Sequence, residues 1–149
     1  SLDLPGKGKA FEKTVQFRYT PPTHAVLAFV QALQELDAEG GIAARGARYK
    51  RNHQVLIEGM ERIGFKRFLP DAIQSYIITC FHFPKDSKFN FAEFYRLLSA
   101  QGMIIYPGKL TQVPTVRIGN IGRLFENDIR QLLAAIELSI SEMGVSLAE

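Results

Sequence analysis

The sequence predicts an α+β fold, a two-layer sandwich in which a small, mostly antiparallel sheet is covered by helices. Three observations carry this. Apolar residues recur at helical spacing over the segments 26–36, 42–63 and 125–140. Short β-branched and aromatic runs, bounded by proline and glycine, lie between them. The resulting order, helix, helix, strand, helix, strand, strand, helix, brings strands together in pairs rather than alternating strictly with helices.

Taken along the chain, residues 1–22 combine Pro5, Gly6, Gly8 and several lysines and close on Pro21-Pro22, which reads as an arm outside the core. Thr23 is a candidate cap for a first helix carrying Val26, Leu27, Val30, Leu33 and Leu36, with Gly40-Gly41 as its left-handed stop. A second helix follows after a bend near Gly40, with Ile42, Tyr49, Leu56, Met60 and Ile63 on one stripe and Gly64 at its end. The run from Ser75 to Phe83 is apolar and aromatic and stops at Pro84, so it predicts a central strand. Asn90 and Glu93 have capping-box spacing, and Phe89 and Phe94 that of a hydrophobic staple, which sets a helix over 91–100 before Gly102. Met103–Tyr106 gives a short strand, Pro107-Gly108 a turn, Val113–Ile118 a further strand, and Phe125–Ile140 a helix with Glu126 and Asp128 in its first turn. Leu132, Leu133, Ile136 and Ile140 form its apolar stripe.

Composition narrows the function classes. With 149 residues the chain is long enough for one ordinary domain with a buried core. The formal charge is +3 and the basic residues are scattered, with Arg45, Arg48, Lys50 and Arg51 the nearest to a cluster, so nucleic acid is not an expected partner. No apolar stretch approaches the roughly 20 residues of a membrane-spanning helix, and the start does not read as a signal peptide. A single cysteine, Cys80, excludes an intrachain disulfide framework and fits a reducing, cytoplasmic setting. The chain begins at Ser1 rather than Met, as a fragment, a processed chain or an engineered one would.

Most candidate chemistry reduces to packing. His24, His53 and His82 lack a second ligand at metal spacing, so no metal site is expected. Cys80 and His82 share a strand face without a third orienting group, which favours packing over a nucleophile and base. Gly6-Lys-Gly-Lys9 lacks the rest of a phosphate loop and reads as a flexible, solvated stretch. Phe81, Phe83, Phe89, Phe91, Phe94 and Tyr95 have the spacing of a strand-to-helix core. Two places resist. Arg117, in Pro114-Thr-Val-Arg-Ile-Gly-Asn-Ile-Gly122, is either an edge-strand arginine facing water or a clamp, since a guanidinium holds a carboxylate with two parallel charge-assisted hydrogen bonds. Thr20, before two stiffening prolines, is either part of the entry to the helix or a hydroxyl held for a phosphate.

Five blocks in order resemble the C-terminal part of the 2-aminoethylphosphonate:pyruvate aminotransferase family: Ser1-Leu-Asp-Leu4, Phe17-Arg-Tyr-Thr-Pro-Pro-Thr-His-Ala-Val26, Glu39-Gly-Gly-Ile-Ala-Ala-Arg45, Ile105-Tyr-Pro-Gly-Lys109 and Arg117-Ile-Gly-Asn-Ile-Gly122. The resemblance implies a class V, fold type I enzyme using pyridoxal phosphate, with a large domain, a small C-terminal domain and a homodimer. It implies that residues 23–149 are the small domain and 1–22 an arm from the large one. The reaction it implies moves the amino group of 2-aminoethylphosphonate to pyruvate, giving phosphonoacetaldehyde and alanine. Arg117 then matches the family arginine for the acid group of the substrate, and Thr20 the threonine reaching the cofactor phosphate of the neighbouring subunit. Tyr106 and Lys109 fall in an active-site-facing turn with no individual role assigned. The Schiff-base lysine belongs to the large domain, so no catalytic residue is expected here and this chain alone should neither hold the cofactor nor transaminate. An alanine:glyoxylate or serine:pyruvate type of enzyme, or a stand-alone module sensing a small acid, are the alternatives.

Overall fold

The computed structural model describes residues 4–17, 19–107 and 113–147, which fall into two compact units, Ser1–Ile42 and Ala43–Glu149. Gly108 and Lys109 lie outside the described residues.

The first unit holds α1 (Leu4–Thr14) and α2 (Thr23–Ala38). The arm therefore contains a helix that its glycines did not signal. Pro5 is compatible with it because in the first turn the missing N–H has no intrahelical partner to lose. Gly6-Lys-Gly-Lys9 lies within α1, so it is helical rather than a flexible loop. Helix α2 matches its predicted span, but Thr23 is its first residue and not its cap; Pro22 holds the cap position and no side chain bonds to the free N–H groups. The apolar stripe of α2 covers no core: Val26, Leu27, Phe29, Val30 and Leu33 are all exposed and the helix has no buried residue. The chain passes from α2 to α3 (Gly41–Ile63) through Gly40 and Gly41, at φ of 103° and 77°, a region that favours glycine.

The second unit contains the rest of α3, a short 3-10 turn at Asp71–Ile73, β1 (Ile78–His82), α4 (Phe91–Ala100), β2 (Tyr106–Pro107), β3 (Thr115–Gly119) and α5 (Glu126–Glu142). Among the described residues the strands form an antiparallel sheet in the order β1-β3-β2. The expected central strand is thus displaced: β3, not the segment around 75–83, lies in the middle. The other side of β1 is not bare, since the His82 N–H donates to the Lys66 carbonyl at 2.8 Å, the Phe68 N–H to the Cys80 carbonyl at 2.9 Å, and Arg67 bridges to Phe81. The strand expected over 103–106 is shorter and later, Tyr106–Pro107, while Ile105 is buried beside it.

One sheet face is the core. Thr79 and Phe81 of β1 and Val116 and Ile118 of β3 are buried, and the cluster they join holds Leu56 and Met60 of α3, Phe94 and Leu98 of α4 and Ile129, Leu133 and Ile136 of α5. The stripe of α3 is real only in its second half, for Ile42 is 82% exposed. Gly59 sets how closely α3 and α5 approach, because a Cβ there would stand 2.2 Å from Leu133 Cδ1, well inside van der Waals contact. The aromatic run packs as expected, with Phe83 against Phe89 and Phe91 at 5.0 and 5.5 Å between ring centres and Phe89 against Phe94 at 5.4 Å.

The start of α4 also follows its sequence. The Asn90 side chain accepts from the Glu93 N–H at 3.1 Å, while the Glu93 carboxylate turns to Arg96 in a two-bond pair. Asn90→Ala should therefore lower stability by about 1 kcal/mol in urea unfolding, with Asn90→Ser keeping most of it. A loss of zero for alanine would mean the cap contributes nothing.

Candidate functional site

The site begins with strand alternation. Because Val116 and Ile118 point into the core, Arg117 between them stands on the opposite face of β3. Antiparallel register sets Cys80 across from Arg117 on one side and Tyr106 on the other. The row Cys80, Arg117, Tyr106 thus crosses the sheet on its non-core face. Arg117 is half-buried and on the central strand, which corrects the edge-strand alternative.

Among the described residues the Arg117 guanidinium has no hydrogen bond or ion pair. Other arginines do have acidic partners: Arg51 and Arg130 on Glu126, Arg67 on Glu61 and Asp71, Arg96 on Glu93. Arg117 borders a cleft of about 540 Å³ whose other walls include Ile78, Ile104, Tyr106, Ile121 and Asp128. A cation in a largely apolar cleft, its five donors unspent, suits a small anion that can be gripped in two-bond fashion. Asp128 is committed in part to the fold, accepting from the Phe125 N–H at 2.8 Å at the start of α5. No described lysine lines the cleft. The described residues thus fit an acid-binding half-site and do not fit an amine that would carry a cofactor aldehyde.

The loop after β3 is fixed from α3. The fully buried Asn120 donates through Nδ2 to the Tyr49 carbonyl at 3.1 Å and the Tyr76 carbonyl at 3.0 Å. Asn52 donates to the Leu124 carbonyl at 2.8 Å, and Arg48 to the Gly122 and Leu124 carbonyls at 2.9 and 2.6 Å. The Arg48 guanidinium also lies 4.9 Å from the centre of the Phe125 ring. Glu126 is held between Arg51 and Arg130, whose hydrogen bonds pull its carboxyl from 4.5 down to about 2. Sequence reasoning missed Asn120, Asn52 and Arg48. The one available signal was a polar Asn120 between Gly119 and Ile121, in the same block as Arg117.

The remaining candidates separate from this site. Cys80 is half-buried and His82 packs at a tilt against Phe68, 5.3 Å between ring centres, an arrangement of packing. Among the described residues no group of three His, Cys, Asp or Glu side chains could hold a metal. His53 is half-buried, and burial with nearby Arg67 pushes its pKa below the ordinary value. Thr20 belongs to the first unit, where it is exposed and its hydroxyl makes no hydrogen bond among the described residues. Lys109 lies outside the described residues.

Against known proteins, no family model matches the chain. It is 46% identical over 147 residues to the 2-aminoethylphosphonate–pyruvate transaminase of Cupriavidus taiwanensis, covering 99% of this chain and 39% of that protein. With the enzyme of the same name from Phocaeicola vulgatus the identity is 52% over 138 residues, covering 92% and 38%. The chain is a sequence relative of these transaminases. It spans about two-fifths of the length of the relatives it matches. The fold agrees with parts of solved aminotransferases: pyridoxamine–pyruvate aminotransferase from Mesorhizobium loti, TM-score 0.77 at 19% identity over 88% of this chain and 34% of that one, and alanine–glyoxylate aminotransferase from Nostoc sp., TM-score 0.75 at 23% identity over 84% and 33%. The α+β sandwich is the fold of the matched parts of those aminotransferases.

Two tests follow from the loop. Asn120→Ala strips a donor from two carbonyls in a buried place and should cost about 1–3 kcal/mol in chemical unfolding, far more than an exposed asparagine. Because the Glu126 carboxyl sits below its ordinary value in the fold, its contribution is fully present above about pH 4.5 and is lost as pH falls through about 2. The melting-temperature gap between the wild type and Glu126→Gln should accordingly close over that window, and a gap constant from pH 6 to pH 2 would contradict the pairing.

Proposed function

We propose that this chain is the small C-terminal domain, residues 23–149 with an arm over 1–22, of a cytoplasmic, homodimeric aminotransferase that moves the amino group of 2-aminoethylphosphonate to pyruvate. The single observation supporting a role in that reaction is the half-buried Arg117, without an ion pair among the described residues and bordering an apolar cleft, in a chain 46% identical over nearly its whole length to a transaminase of that name. In this reading Arg117 grips the acid group of either substrate, the carboxylate of pyruvate or the phosphonate of the amine, and presents the far end of the molecule for reaction. Thr20 supplies a hydroxyl to the cofactor phosphate of the neighbouring subunit.

Pyridoxal phosphate would supply the electron sink when bound to the intact enzyme. The lysine it needs must come from outside the Arg117 cleft, and this chain by itself binds and orients an acid without transaminating. The walls of the cleft, Ile78, Ile104 and Ile121, would restrict water around the gripped anion and so strengthen the grip.

Arg117→Ala in the full-length enzyme tests the reading. Loss of a two-bond charge-assisted contact is worth about 3 kcal/mol, so the KM for pyruvate should rise about 100-fold while the absorbance of bound cofactor stays unchanged. Arg117→Lys should recover only part of it, since an ammonium cannot present the parallel fork. Unchanged kinetics in both variants would remove Arg117 from the site.

A further inference from the structure

The cross-strand partner of Arg117 has a role that the guanidinium cannot fill. Tyr106 lies directly opposite Arg117 in the β2–β3 register, where side chains leave the same sheet face with Cβ atoms about 4.5–5.5 Å apart. Both residues border the same cleft. The tyrosine is 62% exposed, and its hydroxyl makes no hydrogen bond among the described residues. Its backbone is nevertheless restricted. Ile105, before it, is 3% exposed and anchored in the core, and Pro107, after it, confines the Tyr106 backbone to extended conformations. On the other flank of Arg117 stands Cys80, whose thiol is a weak donor. Of the two cross-strand partners of Arg117, Tyr106 is the one that carries a strong donor.

The geometry of the two acid groups makes this matter. A carboxylate has two oxygens in one plane, and the parallel N–H groups of one guanidinium satisfy both. A phosphonate has three oxygens arranged about a tetrahedral phosphorus. The same fork takes two of them and leaves the third out of its plane, charged and in need of a donor. A phenolic O–H is a donor of the required kind, and Tyr106 carries one at the register position opposite Arg117.

We propose that Tyr106 is a specificity-determining residue, donating its phenolic hydrogen to the third oxygen of a phosphonate gripped by Arg117 and so favouring phosphonate over carboxylate in this site. The proposal rests on the reading of Arg117 as the acid clamp. It assigns separate tasks to the two side chains: Arg117 binds either acid, and Tyr106 discriminates between them.

The test uses the full-length, cofactor-loaded enzyme and the variants Tyr106→Phe and Arg117→Ala, with KM measured for 2-aminoethylphosphonate and for pyruvate. Ethylphosphonate and propionate serve as unreactive competitors. Tyr106→Phe should raise the KM for 2-aminoethylphosphonate and the inhibition constant of ethylphosphonate about tenfold each, the size of one hydrogen bond to a charged group, and leave pyruvate and propionate within about twofold. Arg117→Ala should weaken all four. Equal losses for both acid types in Tyr106→Phe, or no loss for either, would overturn the role of Tyr106 while leaving the clamp standing. Full retention of both anions by Arg117→Ala would overturn the clamp itself and this inference with it. Because Tyr106 is largely exposed, its replacement by phenylalanine leaves the core untouched.

Discussion

The amide of Asn120 is the contact on which the second unit's site depends. Two backbone carbonyls, those of Tyr49 in α3 and Tyr76 ahead of β1, are brought close to the end of β3, where water has been excluded. Each needs a donor, and one buried side chain supplies both. Asn52 and Arg48 do the same for the carbonyls of Leu124 and Gly122. The loop from β3 to α5 is therefore held by several polar contacts from one helix. The strand that carries Arg117 is fixed at its outgoing end by the same contacts, and at its middle by ladders to β1 and β2.

That rigidity gives the charge distribution its meaning. Three arginines beside the loop are used by the fold: Arg48 caps carbonyls, and Arg51 and Arg130 share Glu126. Exposed pairs of this type contribute little stability each, so their effect is mainly to keep one arrangement of the loop. Arg117 differs in having a fixed strand beneath it and, among the described residues, no ion pair. An unspent guanidinium that is half-buried costs solvation without an internal return, and the return comes when an anion enters. The first unit differs in kind. In α2 a well-formed apolar stripe stays exposed, so its helical pattern reflects local periodicity and not burial within the described residues.

Local signals were legible wherever a short-range interaction decides the structure. Asn90, Glu93, Phe89 and Phe94 set the start of α4 through contacts spanning a few residues, and Gly40-Gly41 set the break between α2 and α3 through their positive φ. The helix within residues 1–22 went unread because Gly6 and Gly8 lower helix propensity without forbidding a helix, and a proline in the first turn does no harm. The place of the 75–83 strand in the sheet was misread for another reason. The run around Ile78–His82 is the more apolar, yet its neighbours depend on where α3 and α5 deliver the chain, which hydrophobicity does not encode.

The sequence by itself determined the α+β class, most helix boundaries and the two residues worth testing, Arg117 and Thr20. These follow from periodicity, capping chemistry and block similarity, all of which act over short stretches of chain. Only the tertiary structure decided that Arg117 is central in the sheet, unpaired and set beside Tyr106, and that Asn120 fixes the loop after it. Residues 106 and 117 meet through strand register, and residues 49, 76 and 120 through packing of segments far apart in the chain, so no local pattern carries either fact.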